Sequence, residues 1–230
     1  MTFTLDQVRP WGRLFEEYER MFTLTAADLQ SHILGCGDGP ASFNAEASRA
    51  GSRVVSCDPL YQFDAGQVRR QVGETRAQMM EQTRRHQHEF VWTMIKSPEE
   101  LDSMRMTALE TFLADYEAGK AEGRYVAAEL PRLPFADQVF DLALCSHFLF
   151  LYSEQLTEAF HEHAILEMCR VAREVRIFPL LKLGATPSPH VEPVAESLRR
   201  RGFEVSVEVV PYEFQRGGNQ MMRVRRVAAT

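Results

Sequence analysis

The sequence predicts an α/β protein built on a doubly wound, mainly parallel sheet of seven strands. An antiparallel C-terminal hairpin closes the sheet, and a helical insertion follows its second strand. Three observations carry that prediction. Short apolar runs alternate with helical segments along most of the 230 residues, and a glycine turn, Gly35-Cys36-Gly37-Asp38-Gly39, divides the first run from a helix. Nineteen residues beyond Gly39, Asp58 closes the second run. A glycine turn between strand and helix lets a ligand touch bare backbone, and a carboxylate ending the next parallel strand can accept from two ribose hydroxyls. Together they predict a nucleoside-containing ligand.

The elements follow in order. Residues 11–22 place Leu14, Phe15, Tyr18, Met21 and Phe22 at helical spacing, so an N-terminal helix should cover the start of the sheet and reach toward the ligand. Residues 31–34 read as the first strand. Residues 40–50 read as the first sheet helix, with Pro40 at a position where its missing N–H costs nothing and Gly51 as the stop. Residues 53–57, 125–128, 140–146 and 175–178 are the next four strands, the last halted by Pro179, which would remove a ladder bond from a central strand. Helices are expected over 154–172 and 190–201, and strands over 204–210 and 221–227 form the closing hairpin. Between 62 and 123 a single connecting helix would ordinarily suffice. Here 67–95 is rich in Arg, Gln, Glu and Met, and Ser97-Pro98-Glu99-Glu100 forms a capping signal ahead of apolar positions 101, 104, 109, 112, 113 and 116. This insertion leaves the chain just after Asp58, hence on the ligand side of the sheet. It reads either as a lid or as a helical pair that broadens the core or makes a dimer surface.

Composition bounds the rest. With 45% hydrophobic residues the chain can bury one sizeable core, so a single domain over 1–230 with 62–123 inserted is expected. No apolar run approaches the ~18 residues of a membrane span, and residues 1–6 lack the basic and apolar parts of a signal peptide, so a soluble cytoplasmic protein is expected, with no membrane partner. Cys36, Cys57, Cys145 and Cys169 show no C-x-x-C spacing and read as reduced core residues. His161 and His163, like His86 and His88, stand two apart; on a helix such pairs point ~200° apart, so no metal site is expected. A formal charge of −6 argues against a general polyanion binder, although Arg199-Arg200-Arg201 and Arg223, Arg225 and Arg226 are local basic runs.

The glycines read G-x-G-x-G, whereas the dinucleotide fingerprint requires glycine where Pro40 stands, so NAD is a poor fit; no Gly-Lys-Ser/Thr follows for a phosphate loop. Downstream, Glu129-Leu130-Pro131-Arg132-Leu133-Pro134-Phe135 precedes Phe140-Asp141 and a hydrophobic strand. With these three ordered motifs, residues 11–60 and 124–226 resemble the class I S-adenosyl-L-methionine-dependent methyltransferases. The resemblance implies a Rossmann-like fold and S-adenosyl-L-methionine as cofactor. It implies a backbone cradle at Gly35, Cys36 and Gly37, ribose hydroxyls on Asp58 and apolar packing of the base by Pro59. It further implies the adenine amino group on Glu129, the ring against the Leu130 N–H, and the methionine part beside Ser146. The sequence departs from the family at Ile33, where an acidic residue often stands two places before the first glycine. The cofactor's amino end then falls to backbone carbonyls and polar groups of the N-terminal segment.

Methyl transfer from a sulfonium is an in-line displacement with an already activated leaving group, so alignment and water exclusion matter most, and a base matters only for an acceptor with a high pKa. His147, directly after the fourth strand, is the candidate base, with an ordinary pKa of ~6.5; the alternative is a pocket wall. In the tip 212–219, Arg216 and Asn219 are candidate contacts for an acidic or polar acceptor, although Gly217-Gly218-Asn219 also suits an ordinary turn. The fourth strand runs into Cys145-Ser146-His147-Phe148 without the Asn/Asp-Pro-Pro-Tyr/Phe run of amino-methylating nucleic-acid enzymes. The expected function is methyl transfer to a small-molecule acceptor. An RNA or protein methyltransferase and a non-catalytic adenosyl-ligand-binding module are the alternatives.

Overall fold

A computed structural model describes residues 9–227; the reading of residues 1–6 as free of signal-peptide features lies outside them. Two short helices, Phe15–Met21 (α1) and Ala26–Gln30 (α2), precede strand His32–Cys36 (β1). Thr25 and Asp28 cap α2 reciprocally, each side chain taking the other's backbone N–H. Helix Phe43–Arg49 (α3) and strand Arg53–Cys57 (β2) follow. The helix starts three residues later than Pro40, because residues 39–42 are committed elsewhere. Gly39 takes a left-handed φ of 53°, its N–H donates to Asp58 and its carbonyl accepts from Tyr61, while the Ser42 N–H donates to the Arg13 carbonyl.

The insertion is a pair of long helices, Ala65–Arg85 (α4) and Pro98–Ala121 (α5), joined through a short 3-10 turn at Gln87–Glu89. Asp64 caps α4 and Ser97 caps α5, with Pro98 in its first turn as the sequence suggests. The expected helical run to residue 95 stops at Arg85. Val68 and Val72 of α4 bury against Leu109, Phe112 and Tyr116 of α5, together with Leu60, Tyr61 and Tyr125. Ion pairs from Arg69 to Glu110 and from Arg76 to Asp102 tie the outer faces.

The remaining strands are Tyr125–Val126 (β3), Phe140–Ser146 (β4), Ala172–Phe178 (β5), the small pair Leu181–Lys182 (β6) and Thr186–Pro187 (β7), then Phe203–Val209 (β8) and Gln220–Arg226 (β9). Helices Glu158–Val171 (α6) and Val191–Arg200 (α7) alternate with them. The main sheet runs β3-β2-β1-β4-β5-β9-β8. Neighbours from β3 through β5 pair parallel, and β9 pairs antiparallel with both β5 and β8. Since β8 and β5 both oppose β9, β8 runs with the parallel strands and its tip opens on the same edge as the glycine turn. One face of the sheet buries Leu34, Ala143, Val175 and Ile177 beneath α6 and α7. The other buries Ile33, Leu142 and Leu144 beneath α1 and α3. The fold class read from the sequence is the one observed; the β6–β7 pair is an addition.

Candidate functional site

The carboxyl ends of β1, β2 and β4 open into a cavity of about 660 Å³, within the range of small-molecule sites and at the edge where doubly wound sheets bind ligands. Gly35 shapes its floor indirectly: a Cβ there would lie 1.8 Å from Asp38 Oδ2. Without one, the Asp38 carboxylate folds back over β1 and accepts from Tyr18 Oη at 2.9 Å and Ser56 Oγ at 2.6 Å. Burial pushes Asp38 up to about 6, with those two hydrogen bonds opposing and the nearby Asp58 charge adding to the rise. Gly37, at φ 67°, presents backbone to the cavity, and a Cβ there would press on Phe148 at 3.2 Å.

Asp58 ends β2 facing the cavity. Its Oδ2 accepts from the Gly39 N–H at 2.9 Å and its Oδ1 from the Leu60 N–H at 2.7 Å, which locks the carboxylate in one orientation. Burial raises its pKa, and the same two N–H groups resist the rise. Pro59 and Leu130 supply apolar wall, and Glu129 stands exposed at the rim, its carboxylate making no hydrogen bond or ion pair among the described residues. Tyr61 stands behind this wall: its hydroxyl donates to the Gly39 carbonyl at 2.8 Å and its ring packs with Phe112, Tyr116 and Tyr125, so it braces the glycine turn.

At the end of β4, Ser146 and His147 both reach the cavity, with Ser146 Oγ 2.9 Å from His147 Nδ1. His147 adopts a left-handed φ of 52°, held by its N–H donating to the Phe178 carbonyl at 2.7 Å. Desolvation, then the positive charges of Arg13 and Arg105, hold its pKa well below the ordinary histidine value. The ring is therefore neutral near pH 7.

Some sequence candidates stand elsewhere. Gly35 acts through Asp38, and the fully buried Cys36 side chain points into the core rather than the cavity. Arg216 is not at the cavity wall: its Nε donates to the His88 carbonyl and its Nη2 to the Phe90 carbonyl, both at 3.1 Å. Asn219 also stands away from the wall, its carbonyl accepting from the Val210 N–H. The chain turns at Gly217, φ 78°, with Arg216 exposed, and Phe214 and Gln215 take the wall position instead. The Arg216 clamp has its own effect. With the Phe90–Gln215 bridge and the Phe90–Phe214 ring stack at 4.8 Å, it stitches the insertion to the β8–β9 tip.

Sequence reasoning missed three groups at the wall. Asp38 is legible in the sequence only as an acid between two glycines of the turn. Arg9 and Arg13 belong to a strap laid across residues 39–42, where Gly12 permits contact so close that a Cβ would meet the Pro40 carbonyl oxygen at 2.0 Å. Met79 and Thr83 of α4 complete the roof with Phe90; nothing in the helical pattern distinguished them from core. Arg199, Arg200 and Arg201 each pair with a carboxylate, on Glu192, Glu196 and Glu162, and Arg223 and Arg225 share Glu174. Among the described residues no group of His, Cys, Asp and Glu is arranged to hold a metal ion, and no helix is long and apolar enough to cross a membrane.

The sheet order, the antiparallel β9 and the glycine turn facing Asp58 define the Rossmann-like fold of the class I S-adenosylmethionine-dependent methyltransferases. The chain is 32% identical over 216 residues to the uncharacterized protein MJ0045 of Methanocaldococcus jannaschii, covering 94% of this chain and 95% of that one, and it belongs to the same family as that protein. No protein-family model matches it. Among solved structures it is similar to magnesium protoporphyrin IX methyltransferase from Synechocystis PCC 6803, at 12% identity, TM-score 0.46, and coverage of 87% of this chain and 73% of that one. It is also similar to a putative RNA methyltransferase, PH1948, from Pyrococcus horikoshii, at 10% identity, TM-score 0.45, and coverage of 92% and 84%. These structural likenesses are remote.

Proposed function

We propose that the chain transfers a methyl group from S-adenosylmethionine to a small-molecule acceptor bound in the 660 Å³ cavity. The observation that carries this reading is the cavity's division into two unlike parts. One side offers the Gly37 backbone, the fixed Asp58 carboxylate, the unpartnered Glu129 and the apolar Pro59 and Leu130, which together fit a ribose and an adenine. The other side is apolar: Met79, Phe90, Leu151 and Phe214 belong to one packed cluster, with Leu156 and Leu183 against it.

The cofactor supplies a methyl group already activated on a sulfonium. The chain's own work is positioning and exclusion of water. In this reading Asp58 orients the ribose and Ser146 borders the methionine part. The insertion acts as a roof, fastened by the Arg216 clamp. Neutral His147 is able to accept a proton from the acceptor, and its lowered pKa keeps the ring uncharged across the neutral range.

Pairing of the basic runs with carboxylates favours a small acceptor over RNA, which would need those arginines free for phosphate. The test is incubation with methyl-labelled S-adenosylmethionine and a fractionated cell extract. Label in the low-mass fraction supports the proposal. Label in RNA or protein replaces it with a macromolecular acceptor, and tight S-adenosylhomocysteine binding without any transfer leaves a non-catalytic binding module.

A further inference from the structure

At the cavity wall a half-buried arginine, Arg13, stands beside a buried glutamate–arginine pair, and the charges of the three do not balance. Glu17, on α1, is 3% exposed. Both its oxygens are taken by the guanidinium of the equally buried Arg105, the second at 2.8 Å. Tyr212 Oη donates to Glu17 Oε1 at 2.6 Å, and the Leu14 N–H donates to Oε2 at 2.9 Å. One carboxylate therefore already satisfies four donors. Arg13 is the second cation of the group and forms no ion pair among the described residues. Its Nη1 donates to the Trp11 carbonyl, while its Nε is buried with no partner. Arg13, Glu17 and Arg105 together carry a net charge of +1, with the surplus cation at the cavity wall. Burial and the like charge of Arg105 push Arg13 down to about 10, as expected of a cation short of an anion.

Arg13 is also fixed in place. Its carbonyl accepts from the Ser42 N–H at 3.0 Å, so the strap holds the residue where the glycine turn enters α3, and its side chain forms part of the cavity wall near His147. A guanidinium with open donors beside a cavity matches a carboxylate, which accepts two parallel N–H bonds. We propose that Arg13 is the seat for a carboxylate of a molecule bound inside the cavity, which neutralises the surplus charge of the Glu17–Arg105 cluster. The proposal deepens the methyl-transfer reading and rests on it for the identity of the bound molecules. Two sources share the chemistry: the methionyl carboxylate of the cofactor and an acidic group on an apolar acceptor.

Calorimetric titration of the wild-type chain, Arg13→Ala and Arg13→Lys separates them. The ligands are S-adenosylhomocysteine, 5′-methylthioadenosine, which lacks the amino-acid part, and benzoate and indole-3-acetate with and without saturating S-adenosylhomocysteine. If the cofactor's carboxylate sits on Arg13, Arg13→Ala weakens S-adenosylhomocysteine roughly 10- to 100-fold. Binding of 5′-methylthioadenosine stays unchanged, and Arg13→Lys recovers part of the loss. If an acceptor's acid sits there, the adenosyl ligands are unaffected and the aromatic carboxylates lose binding by a similar factor. The unchanged 5′-methylthioadenosine affinity shows that the variant is folded. Retention of every carboxylate ligand by Arg13→Ala, or no carboxylate binding to the wild type, overturns the proposal. Failure of the wild type to bind either adenosyl ligand instead defeats the cofactor reading, and the carboxylate titrations on the free protein still decide the role of Arg13.

Discussion

Glu17→Gln removes the one negative charge from a cluster with two cations, and its cost follows from the geometry. The Arg105 fork and the neighbouring charge of Arg13, with the Tyr212 hydroxyl, outweigh the desolvation of Glu17 and hold its carboxyl down at about 2 against an ordinary 4.5. At about 1.4 kcal/mol per pKa unit, that preference for the charged form is worth about 3 kcal/mol, within the range of about 3–5 kcal/mol for breaking a buried ion pair. Because the folded pKa is depressed, the contribution is complete above pH 4.5 and is lost as pH falls toward 2. Urea unfolding of the wild type and Glu17→Gln should therefore differ by about 3 kcal/mol at pH 7 and pH 6, and by about 1 kcal/mol less at pH 3.5. A difference below about 1 kcal/mol at pH 7, or one that does not shrink at pH 3.5, would refute this account of the cluster.

Asp58→Ala should weaken S-adenosylhomocysteine by one to two orders of magnitude, given about 1.5–3 kcal/mol for hydrogen bonds to a charged group; equal affinity in a calorimetric comparison removes the ribose assignment. Asp38 has the opposite linkage to Glu17. Its folded pKa is raised from 3.8 to about 6, so stability is greatest below 3.8 and is lost as pH rises through 6. Asp38→Asn should then stabilise the ligand-free protein by up to about 3 kcal/mol at pH 7 and hardly at all at pH 4; thermal melts at the two pH values check this, and a destabilised variant at pH 7 contradicts it. His147→Ala should keep adenosyl-ligand affinity within about twofold and slow transfer about 10²-fold or more if the ring is the base. The wild-type pH–rate profile should show no His147 limb near 6.5, since the protonated ring is disfavoured in the fold. Parallel losses of binding and rate would make His147 a wall.

The parts of the fold that obey a strict local period were legible. Strand 140–146 is bounded by polar sequence and coincides with β4, and the hairpin strands lie within one residue of β8 and β9. The capping signal at Ser97-Pro98 located the start of α5. What sequence periodicity cannot carry is the cost of tertiary contacts: residues 40–42 have helical composition, yet Asp58, Tyr61 and Arg13 hold the turn open until Phe43. The site divides in the same way. Asp58, Pro59, Glu129, Leu130, Ser146 and His147 sit at strand ends, and topology alone brings them to one cavity. Arg13 and Phe214 arrive from the strap and the hairpin tip, whose paths depend on close packing at Gly12 and on the Arg216 clamp. Arg216 was misplaced for that reason. Its carbonyl partners lie more than a hundred residues away in the sequence.

Calorimetric titration of the wild-type protein with S-adenosylmethionine, S-adenosylhomocysteine and NAD tests the central claim most directly. Micromolar, one-to-one binding of both adenosyl ligands with no heat from NAD is the predicted result. Binding of NAD alone, or of none of the three, would contradict it and leave a methyltransferase fold serving a different ligand.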